Sequence, residues 1–480
     1  MQESDLKIAW SHRDITPNLP VGLCGQFHLR VATTILDPLT LTALAVSTEF
    51  DAFIWVSCDV VDLPRDFHGY CRECLASRLP DFDVSKLVIS ATHTHTAPYL
   101  APMWHAGAFP PEVSPPRAYF EQVAEAVVSA AVEAWQSRAA GRISYGHGYA
   151  VCAHQRRMTY FHNLAEPHHI GQKHQTNAAM YGATATAEFK GFEGYVDHRV
   201  DFIFTYDLTG QPTGAMVTLP CPAQATEWLS EVSADFWHEV RQNLKADFGG
   251  HFQLLPLCCA AGDLAPRQQL QKANEERMLK LRGLSNRQAI ANRITAALKE
   301  ALEWSRHEQK GTLILQHHSN DLNLSRRPIL EREYHELQEG LMQLRATKEA
   351  DPVTESTRIA KIYRVEQAIR RYEEQQLQKP CMLEHHVIRL GEIALCTFPM
   401  ELFLNYALRI QARSPALATM VIQLTGSAPN PNGYLPTAEA EKGGGYSACI
   451  YCSPVSATGG QEMVDTTAAI LAEHFDKNGS

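Results

Sequence analysis

At 480 residues, 45% hydrophobic and 20% charged, the chain has an ordinary globular composition and enough length for a large core. Its formal net charge of -10, with no basic stripe interleaved with aromatics, argues against a nucleic-acid partner. No apolar run reaches the roughly 18 residues of a membrane span. The polar start Met1-Gln2-Glu3-Ser4-Asp5-Leu6-Lys7 has no signal-peptide core, so the cytoplasm is expected.

Residues 7–62 read as a first layer of strands. Ile8-Ala9-Trp10 runs to a turn at Asp14-Ile15-Thr16-Pro17, and 39–46 and 52–57 read as paired strands. The second of these ends at Cys58-Asp59, an acidic group that is either functional or a turn cap. A helix is expected over 64–79. The apolar run Leu87-Val88-Ile89 then leads into Ser90-Ala91-Thr92-His93-Thr94-His95-Thr96-Ala97-Pro98. If the strand period continues, His93 and His95 point to one face and Pro98 stops the ladder. Two imidazoles at a strand mouth suit a metal, or a metal ligand beside a proton carrier. They equally suit two hydrogen-bonded polar histidines.

An amphipathic helix is expected over 117–137, and the strand–helix–strand order argues for an α/β fold of layered mixed sheets flanked by helices. Residues 158–196 lack periodicity and hold His162, His168, His169 and His174. They read as a solvated polar loop over a cleft, with adventitious metal binding as the alternative. A hairpin is expected over 200–206 and 214–219, turning at 207–211.

Residues 267–310 and 327–379 are charged and helical, with a strand-like piece at 312–316 between them. Asp351-Pro352 divides the second block into two antiparallel helices. The pattern fits a solvated helical hairpin packed on the body, or a coiled-coil arm that would make a homo-oligomer through the insertion. Strands return at 386–390 and 393–398, and an amphipathic helix closes the chain over 460–475. Twelve cysteines include the pairs Cys71/Cys74 and Cys449/Cys452, expected as reduced, mostly buried thiols rather than one shared zinc site.

Five pieces recur in order over residues 8–450: Asp14-Ile15-Thr16-Pro17, Ser90 to His95, Ala260-Ala261-Gly262-Asp263-Leu264-Ala265-Pro266, Phe398-Pro399-Met400-Glu401, and Asn432-Gly433-Tyr434 through Tyr446. Together they resemble the neutral (alkaline, non-lysosomal) ceramidase family. The resemblance implies one ceramidase-like catalytic domain over 1–480, in which the charged helical stretch at about 267–380 reads as an insertion; the family's C-terminal immunoglobulin-like domain is expected to be absent here. It also implies a zinc amidase whose ion, one per chain, is held by the first His of Thr-His-Thr-His, a second His, a Glu and a Tyr. Carried over, these are His93, Glu401 and Tyr434. The family's second active-site tyrosine, twelve residues further on, falls on Tyr446. An arginine near the substrate carbonyl falls on Arg156, with a register of one leaving Arg157 open.

Two positions depart from the family. Its second histidine sits in a His-Pro step, where this chain has Cys221-Pro222 ahead of Ser233-Ala234-Asp235. Cys221 is either a thiolate ligand or a small buried hydrophobe, and in the second case His198 is the next candidate. The family's proposed serine nucleophile corresponds to Ala265, which has no hydroxyl.

The remaining residues still make chemical sense. A zinc ion with an open position lowers the pKa of its water towards about 7, and such a nucleophile needs no serine. His95 is assigned proton transfer. Arg156 and Tyr446 are assigned to the developing oxyanion, and Asp263 to orienting its loop. Gly443-Gly444-Gly445 marks close backbone approach or a mobile loop. The expected function is a zinc-dependent hydrolase cleaving an amide or related carbonyl bond of a small substrate. The alternatives are a metal-dependent lyase or deacetylase acting on a sugar derivative, and a binding protein that keeps only the fold.

Overall fold

The computed structural model of the chain describes residues 2–102, 109–164, 170–171, 176–377, 379–428 and 433–476. Three mixed sheets turn their inner faces to one core. The first runs in the order Leu87–Ala91, Ala52–Cys58, Thr40–Ser47, Lys7–Asp14, Ala139–Ala140, with only the first pair parallel. The second is Gln253–Cys258, Pro212–Leu219, Arg199–Tyr206, Arg142–Tyr149, again parallel only at its first pair. The third is Leu315–Leu324, Cys381–Leu390, Ile393–Thr397, Ala418–Ile422, parallel at its last pair. Phe53, Trp55, Val88, Ile203, Met216, Leu257, Ile388, Leu395 and Ile422 meet where the sheets face one another. Strands buried on both faces read as nearly continuous apolar runs, as Ala52–Cys58 and Thr40–Ser47 do.

Helices cover each outer face. Arg65–Arg78 and Pro116–Gln136 pack on the first sheet, Phe236–Phe248 and Asn286–Ser305 on the second, and Leu404–Arg413 and Ala457–Phe475 on the third. The neighbouring helices Glu331–Ala346 and Pro352–Glu374 form the expected hairpin. Asp351 caps the second through the Thr354 amide, with Pro352 in its first turn. The hairpin lies on the body, with Leu337, Val365 and Ala368 packed with Ile450. Leu315–Leu324 belongs to the third sheet, so the helical insertion is interrupted by a full strand where only residues 312–316 read as strand-like. Of the expected histidine cluster, His168, His169 and His174 lie outside the described residues. Among the described residues no helix is long and apolar enough to cross a membrane.

Cys71 packs in the first sheet's outer core, and Cys449 and Cys452 in the third's, so the two cysteine pairs do not share a site. Among the described residues all the cysteines are free.

His68, in the first outer helix, is buried with neither ring nitrogen hydrogen-bonded. Burial lowers its pKa to about 4, with Glu384 pulling up and Arg72 and His386 pushing down. The unfolded ring titrates near 6.5, so the stability held by neutral His68 is complete above that pH and is lost as pH falls from about 6.5 towards 4. Unfolding in urea at pH 7 and pH 5 should show His68→Leu escaping about 2 kcal/mol of the acid destabilisation that the native chain suffers.

Candidate active site

The carboxyl ends of Leu87–Ala91, Gln253–Cys258 and Ala418–Ile422 meet. The Ala91 amide donates to the Leu424 carbonyl at 3.1 Å, the Gln423 amide to the Cys258 carbonyl at 3.0 Å, and the Ala260 amide to the Val421 carbonyl at 3.2 Å. Gln423, wholly buried, accepts with Oε1 from the Ala261 and Leu402 amides and ties these loops together. Loops leaving strand carboxyl ends are the usual seat of ligand sites in α/β folds.

The strand before the histidines stops at Ala91 rather than running through them. His93 sits at φ 65°, a left-handed conformation that a non-glycine residue holds only under constraint. The bend nonetheless brings the two rings together, with centroids 4.7 Å apart and Nε2 to Nε2 at 3.2 Å. His93 Nδ1 donates to the Val61 carbonyl at 2.7 Å, which leaves Nε2 facing Glu401 Oε2 at 3.5 Å. Burial alone would lower the His93 pKa, but Glu401 and the Val61 carbonyl hold it above its ordinary value. His95 Nε2 accepts from Gln224 Nε2 at 2.7 Å, and its Nδ1 lies 3.5 Å from Glu227 Oε2. Burial, then the charges of His93 and Arg30, push His95 well below its ordinary value, so this ring is neutral at pH 7.

Glu401 and Tyr434 are partners in a short parallel bridge, so their side chains leave neighbouring strands side by side. Arg156 closes the cluster. Its Nη2 donates to the Gly262 carbonyl at 2.9 Å and the Tyr434 hydroxyl at 3.5 Å, and lies 3.6 Å from Glu401 Oε2. Its Nη1 donates to Gln224 Oε1 at 3.3 Å and the Tyr181 hydroxyl at 3.4 Å. Burial raises the Tyr434 phenol well above its usual value, with Glu401 adding to it. The Tyr446 ring stands 5.5 Å from Tyr434. Asp263 positions the neighbours: its carbonyl accepts from the Arg156 amide, and its carboxylate from Gln155 Nε2 and the Leu404 amide.

Other candidates lie elsewhere. Arg157 turns away from the cluster to Glu193 and the 444–447 loop. The Cys221 thiol donates to the Cys152 carbonyl at 3.3 Å within an apolar cluster, and burial pushes its pKa well above the ordinary value. Gln224, three residues on, is what reaches the histidines from this loop. Among the described residues no hydrogen bond, ion pair or ring contact joins His198 to the cluster, and its Nδ1 is buried without a hydrogen bond. Ala265 pairs with His154 in a short antiparallel bridge. The Ser447 hydroxyl accepts from Arg157. Asp59 is held by Arg241 and the Thr40 amide and serves the fold.

Sequence patterns did not single out Gln224, Glu227, Tyr181 or Asp62. Burial raises the Asp62 carboxyl to about 6, with His93 pulling it down and Glu401 pushing it up. Its Oδ2 is buried without a hydrogen bond.

The donors suit a metal ion. Two ligand atoms on a tetrahedral zinc, each at about 2.0–2.1 Å, stand roughly 3.4 Å apart. The spacing of His93 Nε2 from Glu401 matches. The bond from His93 Nδ1 to a backbone carbonyl is the outer contact that fixes a metal-binding tautomer. The Tyr434 hydroxyl accepts from the same Arg156 nitrogen that faces Glu401, which makes it the candidate third donor. Among the described residues no three His, Cys, Asp or Glu side chains form such a group by themselves, and the Cys221 sulfur is not directed to it.

Layered mixed sheets with the site at converging strand ends define a layered α/β architecture in outline, and solved structures give the particular one. The chain is similar to the neutral ceramidase from Pseudomonas aeruginosa, at 16% identity over 98% of this chain and 75% of that one, with a TM-score of 0.67. It is also similar to a ceramidase complexed with C2, at 14% identity over 99% of this chain and 77% of that one, with a TM-score of 0.66. The fold is neutral-ceramidase-like. No protein-family model matches the sequence, and no curated protein matches it.

Proposed function

We propose that the protein is a zinc-dependent hydrolase that cleaves an amide or related carbonyl bond of a small substrate. One observation carries this reading: His95, Arg156, Tyr434 and Tyr446 line a single cavity of about 1080 Å³, with His93 in contact with His95 and Glu401 with Arg156 behind that lining. Held by His93, Glu401 and Tyr434, a zinc ion would supply a Lewis acid and a water of lowered pKa.

The chain's own groups account for the rest. The Gln224 amide orients His95 through Nε2; the attacking water displaces that amide, passes its proton to Nε2 of the neutral ring, and the ring returns it to the leaving group. Glu227, beside Nδ1, stabilises the imidazolium formed meanwhile. The Arg156 guanidinium, fixed by the Gly262 carbonyl and Gln224, faces the negative charge that develops on the carbonyl oxygen, and Tyr446 donates beside it. Ala265 offers no hydroxyl and Ser447 is engaged by Arg157, which favours water as nucleophile.

Elemental analysis of the purified protein tests the metal. About one zinc per chain is expected in the native protein and in Cys221→Ala, and little in His93→Ala. Hydrolysis across an amide panel should stop on chelation and return with zinc. Stoichiometric zinc in His93→Ala would refute the ligand set, and loss of zinc in Cys221→Ala would return the thiol to it.

A further inference from the structure

The far wall of the cavity is the second helix of the hairpin. Thr357, Lys361, Arg364 and Val365 line it, and their spacing places them on one stripe of that helix. The insertion therefore builds part of the site rather than standing apart from it.

The charges on this wall are uneven. Among the described residues the cavity is lined by four cationic side chains, Arg156, Arg267, Lys361 and Arg364, against two carboxylates, Glu188 and Glu227. Glu227 is already engaged by Arg267, and Arg156 faces Glu401. Lys361 is exposed and makes no ion pair among the described residues. Arg364, one turn on, is stacked over Phe27 at 4.2 Å and over Tyr446 at 5.3 Å, so its guanidinium is fixed in place beside the reacting end. The whole chain carries a net charge of -10, so this excess of positive charge is local to the cavity. A cleft lined by one sign of charge concentrates ligands of the other.

We propose that the substrate carries an anionic oxygen group, a carboxylate or a phosphate, remote from the bond that breaks, and that Lys361 and Arg364 receive it. This rests on the hydrolase reading for which bond breaks, but anion recognition stands or falls by binding alone. The Arg364 guanidinium, which also donates to the Tyr446 hydroxyl at 3.5 Å, supplies a fixed positive charge, and the exposed Lys361 ammonium meets the same group as a second point charge. Arg156 and the histidines then hold the carbonyl end. A neutral lipid amide uses neither cation.

Calorimetry at low salt with three probes tests this: an N-acyl amino acid, its uncharged methyl amide, and an O-phosphorylated N-acyl ethanolamine. At least one anionic probe should bind roughly tenfold tighter than the methyl amide, and the preference should shrink as salt is added. Lys361→Glu, at an exposed position where circular dichroism should report an intact fold, should abolish the preference, and Lys361→Met should weaken it. The anionic probe that keeps the preference identifies carboxylate or phosphate. Equal affinity for charged and neutral probes, no binding of either anion at millimolar concentration, or a preference untouched in Lys361→Glu would overturn the proposal. Anion-selective binding without cleavage of any probe would support it and count against hydrolysis alone.

Discussion

Arg157→Met is expected to destabilise the protein by about 3–5 kcal/mol. The Arg157 side chain is wholly buried, and its guanidinium holds Glu193 by two bonds, Nε to Oε2 at 2.5 Å and Nη2 to Oε1 at 2.9 Å. The same group donates to the carbonyls of Tyr446 at 2.7 Å and Gly444 at 2.8 Å. Methionine approximates the volume and supplies no donor, so a nearly buried carboxylate and two carbonyls lose their partner together. Lysine should restore little, because a point charge cannot span a planar fork. The clamped loop holds Gly444 at φ 68°, Gly445 at φ 80° and Ser447 at φ 71°. Conformations of that kind persist only where the surroundings over-determine them. Amide exchange at 444–449 should therefore speed up in the variant beyond what global stability explains. Adding Glu193→Gln should recover part of the loss. An unchanged urea midpoint in Arg157→Met would show that the clamp contributes nothing.

The sequence pattern reveals elements well where local chemistry decides them. Ala52–Cys58 is an unbroken run of buried strand formers, and Asp351-Pro352 supplies both a cap and a first-turn proline for the following helix. It hides Arg142–Tyr149, because Gly146 and Gly148 look like breakers. Their missing side chains instead admit the backbone and methyl groups of Ala301 and Ala297 from the helix above.

At the site, the family resemblance singles out His93, Glu401 and Tyr434 as candidates, and Glu401 and Tyr434 stand side by side as bridge partners. The left-handed turn at His93 was not, because its contacts come from Val61 and Glu401, distant in sequence. The direction of the Cys221 sulfur is a rotamer decision made by its neighbours. Gln224 and Glu227 are common polar residues whose roles follow only from where His95 and Arg156 stand. The hairpin helix shows the same stripe whether it faces a partner, the body or a cavity, so its place in the cavity wall was invisible in the pattern.

His95→Ala is expected to keep its zinc and lose about a hundredfold to ten-thousandfold in turnover. His95 is the cluster's neutral ring: burial and the nearby positive charges hold it unprotonated, the Gln224 amide fixes it, and it alone of the two histidines lines the cavity. His93, tied to the Val61 carbonyl and Glu401, is placed to bind rather than to move a proton. The two substitutions should therefore separate, His93→Ala losing metal and His95→Ala losing rate. Gln224→Leu leaves the His95 ring in place but without its amide partner, and an intermediate loss of turnover with zinc retained is expected there. In the proposed hydrolysis a single turnover of the native protein in ¹⁸O-labelled water should place the label in the acid product at once, because water would attack the carbonyl directly. A burst of amine or alcohol product with an acyl group trapped on the protein would overturn this route. The search for a nucleophile would then begin at Ser447, whose hydroxyl Arg157 would have to release.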